Sequence, residues 1–210
     1  MKKLFLILFL VLLYSKAFAE PTFVDSFSVN SEETRANGFT FNNDGTKMFV
    51  AGHNGDDINE YILSTAWDVS TAEFVDSFDT ESEDNDSRDV KFNQNGTKMF
   101  VLGKQNDRVC EYTLSIGFDV SSTVTLVDCA SVSEESKPDE LEFNPDGTKM
   151  FVMGESGDDV NEYTLSTGFD VSTATFVDSF SVNSEETVPT GLAFTYDGTK
   201  MFVVGWTGED

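Results

Sequence analysis

Two cysteines offer the most specific chemistry in this chain. Cys110 and Cys129 fall within one of four similar stretches of sequence, on segments predicted to be neighbouring antiparallel strands. The matching positions elsewhere carry Asn or Ser, namely Asn59 and Asn161 for the first cysteine and Ser26, Ser77 and Ser179 for the second. In an exported protein such a pair predicts a disulfide. It would close a loop of about twenty residues and stabilise the fold by roughly 3 kcal/mol.

Paired acidic residues recur in the polar loops and are the candidate ligands for a cation. Asp56 with Asp57, and Asp158 with Asp159, each place two carboxylates in one loop, and Ca²⁺ prefers such oxygen ligands. Further pairs occupy a second set of loops: Glu32 and Glu33, Glu83 and Asp84, Glu134 and Glu135, and Glu185 and Glu186. We expect both sets on one face, which could bind calcium or a cationic partner. The spacing matches no EF-hand, so a solvated acidic surface stays open as the alternative.

Other catalytic chemistry has little support in the sequence. His53 is the single histidine, and nothing around it suggests a nucleophile for a Ser-His-Asp triad. One histidine excludes a site built from several histidines. The chain also lacks a glycine-rich phosphate-binding motif. We therefore predict no catalytic residue and no cofactor other than, at most, calcium.

Two further residue types recur at fixed positions. The lysines Lys47, Lys98, Lys149 and Lys200 follow each hairpin turn and predict either a basic ring or charged turn flanks. The aromatic residues Trp67, Phe118 and Phe169 precede Asp-Val-Ser and predict either a row for sugar binding or side chains that pack a turn onto its own unit. In the packing interpretation, which we favour, the following aspartate caps the turn through its side chain.

A period of 51 residues organises all of these positions. Segment 44–50 returns at 95–101, 146–152 and 197–203. In the third unit, strands A to D are predicted at 141–143, 149–153, 160–165 and 175–182, with an Asp-Gly hairpin between A and B. Four short strands per repeat without helical periodicity are typical of a blade of a β-propeller. The predicted fold is therefore all-β, a propeller of four-stranded antiparallel blades.

The repeated phrases resemble blades of bacterial secreted propellers. Segment 143–152 and segment 189–194 are similar to those of YVTN-type and NHL-type repeat proteins and of lactonase-like propellers. The resemblance covers nearly all of residues 20–210 and implies a fold rather than an activity, because its motifs lie in the structural hairpin. We divide the domain into units at 23–73, 74–124, 125–175 and a partial 176–210, with a lone strand D predicted at 23–27. Such an incomplete propeller is either a truncated copy or an open arc with an exposed sheet edge.

The first nineteen residues predict a cleaved signal peptide. Lys2 and Lys3 precede an apolar run at 4–13, and 17–19 reads Ala-Phe-Ala before Glu20. The run is short for a membrane span, although an uncleaved anchor stays open. The net charge of −25 opposes binding to nucleic acid and to anionic membranes. We expect a secreted or periplasmic protein that does not bind a membrane after cleavage.

These observations favour an exported, non-enzymatic binding or scaffold module. Its acidic face would meet a cationic partner, a protein or divalent ions, and near-identical units suit a multivalent or homo-oligomeric role. A propeller-type hydrolase or lactonase is one alternative, and a fragment without independent activity is another. Channel residues that are unique to single blades would favour an enzyme, whereas uniform ones would favour a binder.

Overall fold

The structure, a computed structural model, describes residues 23–207 and confirms an all-β fold of propeller blades. Three sheets have four antiparallel strands each, and a fourth has two. Blade 1 comprises β1 (Ala36–Phe41), β2 (Lys47–Gly52), β3 (Asp57–Leu63) and β4 (Ala72–Asp79). Blade 2 comprises β5 (Ser87–Phe92), β6 (Lys98–Gly103), β7 (Arg108–Leu114) and β8 (Val124–Ser131). Blade 3 comprises β9 (Pro138–Phe143), β10 (Lys149–Gly154), β11 (Asp159–Leu165) and β12 (Ala174–Ser181), and the half-blade comprises β13 (Pro189–Phe194) and β14 (Met201–Gly205).

Strands A and B of each blade are joined by the repeated hairpin. In blade 1, Asn42 pairs with Lys47 across a four-residue loop, and the Asp44 carboxylate accepts a hydrogen bond from the Thr46 amide at 3.1 Å. Gly45 has φ +70°, a conformation that glycine adopts without steric cost. Hydrogen bonds from the hydroxyl and the amide of Thr46 lower the pKa of Asp44. The Asp-Gly sequence thus fixes both the position and the geometry of the turn.

The blades pack face to face, and the core lies between them. One apolar cluster joins blades 1 and 2 through residues such as Phe49 and Met99, a second joins blades 2 and 3, and a third joins blade 3 to the half-blade through Met153 and Leu192. Strand B is buried on both faces, as the apolar run Lys-Met-Phe-Val predicts. Strand D, in contrast, is exposed along most of its length.

The first strands of the sheets form what we call the inner edge. Strands β1, β5, β9 and β13 contact one another in this order, so successive blades meet along their A strands. Loops D–A and B–C meet on one face, because the Glu33 carboxylate accepts from the Gly55 amide. Hairpin A–B and turn C–D meet on the other, because the Trp67 amide donates to the Gly45 carbonyl. This arrangement agrees with the faces predicted from the sequence.

Two predictions concern the ends of the chain. The lone strand D predicted at 23–27 is wrong, because residues 23–29 form no strand. Among residues 23–207 no strand pairs with this segment, and its contacts are made by side chains, with the ring of Phe27 5.5 Å from that of Tyr61. The predicted leader lies outside the described residues. Among residues 23–207, no helix is long and apolar enough to cross a membrane.

Candidate functional site at the inner edge

Two of the four hairpin lysines, Lys47 and Lys98, bind the following blade, so neither sequence interpretation holds for these two. Lys47 forms an ion pair with Glu60 of strand C at 2.6 Å and donates to the carbonyl of Phe118 in the next blade at 2.6 Å. The other oxygen of Glu60 accepts from the amide of Val120 in that blade at 2.8 Å. We call such a Lys–Glu pair a connector, because it binds turn C–D of the following blade. A lysine held in this way contributes neither a basic ring nor a merely solvated flank.

The same connector recurs between blades 2 and 3. Lys98 lies 2.7 Å from Glu111 and donates to the carbonyl of Phe169, while Glu111 accepts from the amide of Val171 at 3.0 Å. The glutamate is 2% exposed, so its charge depends on these partners. Lys149 and Glu162 of blade 3 form the third pair at 2.7 Å. The repeat therefore carries its charged residues largely for contacts between blades.

Much of the expected acidic face is also structural. The second acid of each pair in loop D–A is buried, and it accepts hydrogen bonds from backbone amides of loop B–C. Glu135, for example, is fully buried and accepts from the amides of Lys137, Ser156 and Gly157 at 2.8–3.1 Å. The first acid accepts from a tyrosine of strand C, as Glu134 does from Tyr163 at 2.8 Å. These carboxylates are therefore largely engaged within the fold rather than free to attract a partner.

The four predicted metal ligands lie in two separate B–C loops. Asp57 accepts from the side-chain amide of Asn59 at 2.6 Å, and Asp159 does so from Asn161 at 2.8 Å. Asp56 and Asp158 have positive φ angles of 50° and 51°, and Asp158 accepts from Asn183. Burial raises the pKa of Asp57 and that of Asp159. Within residues 23–207, no group of three or more His, Cys, Asp or Glu residues is arranged to hold a metal ion.

The two cysteines and the turn aromatics have structural positions. Cys110 and Cys129 face each other on β7 and β8 and are joined by a disulfide. At the corresponding site of blade 3, the Ser179 hydroxyl donates to Asn161 at 2.8 Å, so a hydrogen bond stands where blade 2 has the covalent bond. Rings of Trp67, Phe118 and Phe169 lie directly over the hairpin glycines of their own blades, as the packing interpretation requires. Asp68 and Asp170 cap the turns as predicted, through the amides of Ser70 and Ser172.

The inner edge is where the repeats differ most in charge. Two positions on strand A show this difference: one carries Gly38, Asp89, Glu140 and Gly191 in successive units, and the other carries Thr40, Lys91, Glu142 and Ala193. The absence of a side chain at Gly38 matters, because a Cβ there would lie 2.5 Å from a carboxylate oxygen of Asp89. Gly38 of blade 1 thus leaves room for the carboxylate of Asp89, which blade 2 contributes.

These side chains converge on one ammonium group. Lys91 Nζ lies 3.2 Å from Asp89 Oδ2, 3.1 Å from Glu140 Oε1 and 3.1 Å from Glu142 Oε1. Asp89 is buried and also accepts from the amide of Leu141 on β9 at 3.1 Å, which ties β5 to β9. Glu140 and Glu142 remain 18% and 28% exposed. Three carboxylates therefore surround one cation, and two of them are accessible from outside.

The excess of carboxylates perturbs proton affinity in this cluster, which we call the Lys91 cluster. Burial, together with the nearby charge of Asp89, raises the pKa of Glu140 to about 8, although Lys91 opposes the shift. Burial also raises the pKa of Asp89 and of Glu142. Lys91 itself has a raised pKa, because attraction to Asp89 and the two glutamates outweighs its burial. The carboxyl groups of the cluster therefore keep a proton to higher pH than ordinary Asp and Glu side chains do.

A second set of repeat-specific charges continues from the Lys91 cluster towards the face of loops D–A and B–C. Arg88 binds both oxygens of Asp86, at 2.8 and 2.9 Å, and lies 3.1 Å from Asp139. Lys104 joins Asp139 at 3.1 Å, and His53 Nδ1 lies 2.9 Å from Asp86. This network crosses all three complete blades. Unlike the Lys91 cluster, it pairs its charges with alternating sign, which makes it a support rather than an open site.

Sequence reasoning did not identify the Lys91 cluster. The signal was present in the sequence, because the charge type changes between the four units at the positions of Asp89 and Lys91. The sequence does not show that these positions of strand A face the neighbouring blades at the inner edge. That direction depends on which strand lies at the inner edge and on which face of the strand is turned towards the neighbouring blade.

Comparisons with known proteins support the fold alone. No protein-family model matches the chain, and no curated protein matches it in sequence. Among solved structures, it is similar to the Pseudomonas aeruginosa periplasmic gluconolactonase, with 16% identity and a TM-score of 0.54 over 81% of this chain and 47% of that one. It is also similar to Kuenenia stuttgartiensis hydrazine synthase, with 13% identity and a TM-score of 0.58 over 90% and 47%.

A third similar structure is itself described as a β-propeller. The β-propeller domain of Myceliophteria thermophila Cps50 (Swd1) has 8% identity and a TM-score of 0.55, over 82% of this chain and 50% of that one. The chain thus spans about half the length of these structures. Identities this low do not carry activity from one protein to another. The finding that stands is that the chain has the blades of a β-propeller.

Proposed function

We propose that this protein is an exported, non-enzymatic propeller module of the YVTN- or NHL-type group, and that it binds a small cationic ligand at the Lys91 cluster. The observation that carries the proposal is the excess of carboxylates over cations around Lys91 at the inner edge. Blades that are otherwise near copies differ in charge type here, where three of them meet. A site in which several elements contribute different polar groups is the usual form of a small-ligand site.

The charge balance of the cluster favours a cation. Asp89, Glu140 and Glu142 together have more negative charge than Lys91 neutralises. Lys91 also shows which group satisfies these oxygens, because its ammonium already lies about 3 Å from all three. A ligand with an ammonium or guanidinium group would pair with the accessible oxygens of Glu140 and Glu142, and partial burial would strengthen that pairing over one in bulk water.

Binding of a cation to this cluster is linked to a proton. The ligand prefers ionised Glu140, whose pKa is about 8, so binding below that pH must release a proton. The affinity is therefore expected to rise with pH by up to about tenfold per unit below 8 and to level off above it. A ligand that does not contact Glu140 would bind with an affinity that does not change with pH in this way.

The experiment is calorimetric titration with agmatine, which has both an ammonium and a guanidinium group, between pH 6 and 9. A neutral compound of equal chain length, 1,6-hexanediol, is the control ligand. We expect saturable binding of agmatine alone, weakened about tenfold by Glu142→Gln because one ionic partner is lost. Glu162→Gln, which removes an exposed carboxylate outside the cluster, is the matched control variant. Equal binding of the neutral compound, or equal affinity for both variants, would contradict the proposal.

A propeller-type hydrolase or lactonase is the second candidate, and one observation favours it. Burial raises the pKa of Glu140, which shares Lys91 with Asp89 and Glu142, and a carboxyl group with a raised pKa suits the role of a general acid. In addition, the inner edge carries charged residues that differ from blade to blade, and such residues favour an enzyme over a binder. Hydrolysis of a panel of sugar lactones that is lost in Glu140→Gln but retained in Glu162→Gln would establish this candidate. Absence of turnover with every lactone would leave the binding proposal.

Export, calcium binding and partner proteins rest on sequence alone. Fractionation, with N-terminal sequencing that begins at Glu20, would test the leader. Calcium at the aspartates of loops B–C would raise the thermal midpoint relative to chelator, and equal midpoints would remove that proposal. A protein partner or a homo-oligomer would appear as a larger mass in light scattering. A fragment without independent activity would show neither ligand binding nor turnover.

A further inference from the structure

A cavity of about 290 Å³ opens beside the Lys91 cluster, on the face that carries hairpins A–B. Its walls come from strand A and the hairpin of blades 1, 2 and 3 and from two C–D turns, so every lining residue belongs to a complete blade. Lys91 and Glu142 of the cluster line it. Cavities for small ligands begin at about 300 Å³, so this one has room for a ligand the size of a single ring.

Some lining residues are the same in every complete blade, and these serve the fold. Asn93 and Asn144 each accept from the lysine amide that begins strand B, at 3.1 and 2.9 Å, and each donates to a threonine of its own hairpin. Phe92 packs against the preceding blade, with its ring 4.5 Å from that of Phe49. Phe92 and Phe143 remain partly exposed, so they form an apolar part of the wall.

The lining residues that differ between units have hydrogen-bonding groups to spare. One hairpin position carries, in successive units, Asn43, Gln94, Pro145 and Tyr196. The Asn43 side chain donates to the Gln94 carbonyl at 2.5 Å, and the Gln94 side chain donates to the Pro145 carbonyl at 2.7 Å. Within residues 23–207, each of these two amides keeps its oxygen and a second N–H unpaired, and the Thr40 hydroxyl has no partner. Donors and acceptors therefore stand side by side around the cavity.

This mixture of groups limits the chemistry of a matching ligand. Glu142, which is 28% exposed and shares Lys91 with two other carboxylates, suits a cation. An ammonium or guanidinium group alone only donates hydrogen bonds, so it would leave the Thr40 hydroxyl and the amide N–H groups without an acceptor. A hydroxyl group both donates and accepts, so it can pair with either kind of group.

We propose that this cavity binds a hydroxylated amine the size of one sugar ring, such as an amino sugar. The ammonium group of the ligand pairs with Glu142. Its hydroxyl groups exchange hydrogen bonds with Thr40 and with the side-chain amides of Asn43 and Gln94, and its ring carbons lie against the exposed part of Phe92. The inference rests on the cation site of the proposed function and adds the chemical class of the ligand.

The test is calorimetric titration of the protein with glucosamine at pH 7, below the pKa of its amine. Glucose has the hydroxyl groups without the charge, and cyclohexylamine has the charge without the hydroxyl groups. We expect saturable binding of glucosamine, about tenfold tighter than that of either compound. Thr40→Val removes the hydroxyl at similar shape and should weaken glucosamine about fivefold, with agmatine and cyclohexylamine unchanged. Thr164→Val, at an exposed position of β11, is the matched control and should change nothing.

The outcomes separate this inference from the proposed function. Binding of agmatine without a preference for glucosamine over cyclohexylamine would overturn the inference and leave the cation site standing. Equal affinity for glucose and glucosamine would also overturn it, because the cavity would not require the charge, and absence of binding by agmatine and glucosamine would remove both proposals. If Thr40→Val does not fold, NMR saturation transfer from aromatic protons of the unaltered protein to the ring protons of glucosamine replaces it. Absence of such transfer would contradict the proposed contact.

Discussion

The connectors and the inner edge use charge in opposite ways. At a connector, every complete blade has the same lysine and the same glutamate, and in the two occupied connectors all charges find partners in the next blade. At the inner edge, equivalent positions hold glycine, carboxylate or ammonium depending on the unit, and carboxylates outnumber cations around Lys91. One region repeats because each blade must be joined to the next. The other is free of that requirement.

This difference separates residues that hold the arc together from residues that can serve a ligand. A buried charge is tolerated when it is paired and hydrogen-bonded, and the connectors meet that condition within the protein. The Lys91 cluster does not meet it without a proton on Glu140. Exposed negative charge alone was therefore a poor guide to function in this chain, since many acidic side chains are occupied by backbone amides or tyrosines.

The largest expected effect is the loss of an occupied connector. Glu111→Ala leaves Lys98 without its ionic partner and the Val171 amide without an acceptor, so it should cost about 3–5 kcal/mol of unfolding free energy. Glu162→Ala makes the same change at the Lys149–Glu162 pair, to which no turn is bound among residues 23–207, and exposed ion pairs contribute only about 0.2–1 kcal/mol. Urea denaturation of both variants measures the difference. Equal losses would mean that the connectors do not act between blades.

The disulfide should have the next largest effect. Replacing Cys110 by Asn and Cys129 by Ser rebuilds in blade 2 the hydrogen-bonded pair of blade 3. The double variant should lose roughly 3 kcal/mol, since the unfolded chain gains freedom over a loop of about twenty residues. Thermal unfolding measures the loss, and thiol titration of the denatured wild type should gain two thiols on reduction. Unchanged stability in the variant would show that the covalent bond adds nothing to the repeat.

The repeat was the part of the fold that could be predicted from sequence. Its 51-residue period, the Asp-Gly hairpin and the alternation in strand B all depend on local chemistry. Strands B, C and D of the third unit lie within one residue of the prediction, whereas strand A begins three residues earlier than predicted, at Pro138. The connectors could not be predicted, because Lys47 meets the Phe118 carbonyl from 71 residues away. Such a contact depends on how blades stack, which no property of the hairpin itself reveals. For the same reason the Lys91 cluster, formed by β5 and β9, was missed.

The hairpin glycines provide a smaller test of occupied and open positions. Gly147→Ala places a Cβ 2.3 Å from the Phe169 ring at φ +71°, so strain and overpacking should cost about 2–3 kcal/mol. Gly198→Ala meets no atom within 4 Å and has φ +66°, so backbone strain alone should cost about 1 kcal/mol. Chemical denaturation distinguishes the two. A larger loss of stability for Gly198→Ala than for Gly147→Ala would mean that the space around Gly198 is already filled.

The smallest expected effect belongs to the inner edge and concerns pH. Folding raises the pKa of Glu140 from 4.5 to about 8, so the folded protein holds a proton that the unfolded chain has lost between these values. Stability from this group is therefore fully present below about pH 4.5 and falls as pH rises towards 8. Glu140→Gln keeps the neutral form at every pH. It should match the wild type near pH 4 and be more stable at pH 9, by on the order of 1 kcal/mol after allowance for partial exposure. Denaturation midpoints at both pH values measure this, with Glu162→Gln as the control. If the pH dependence of Glu140→Gln equals that of the wild type, the Lys91 cluster does not hold the proton, and the contrast with the fully paired connectors fails.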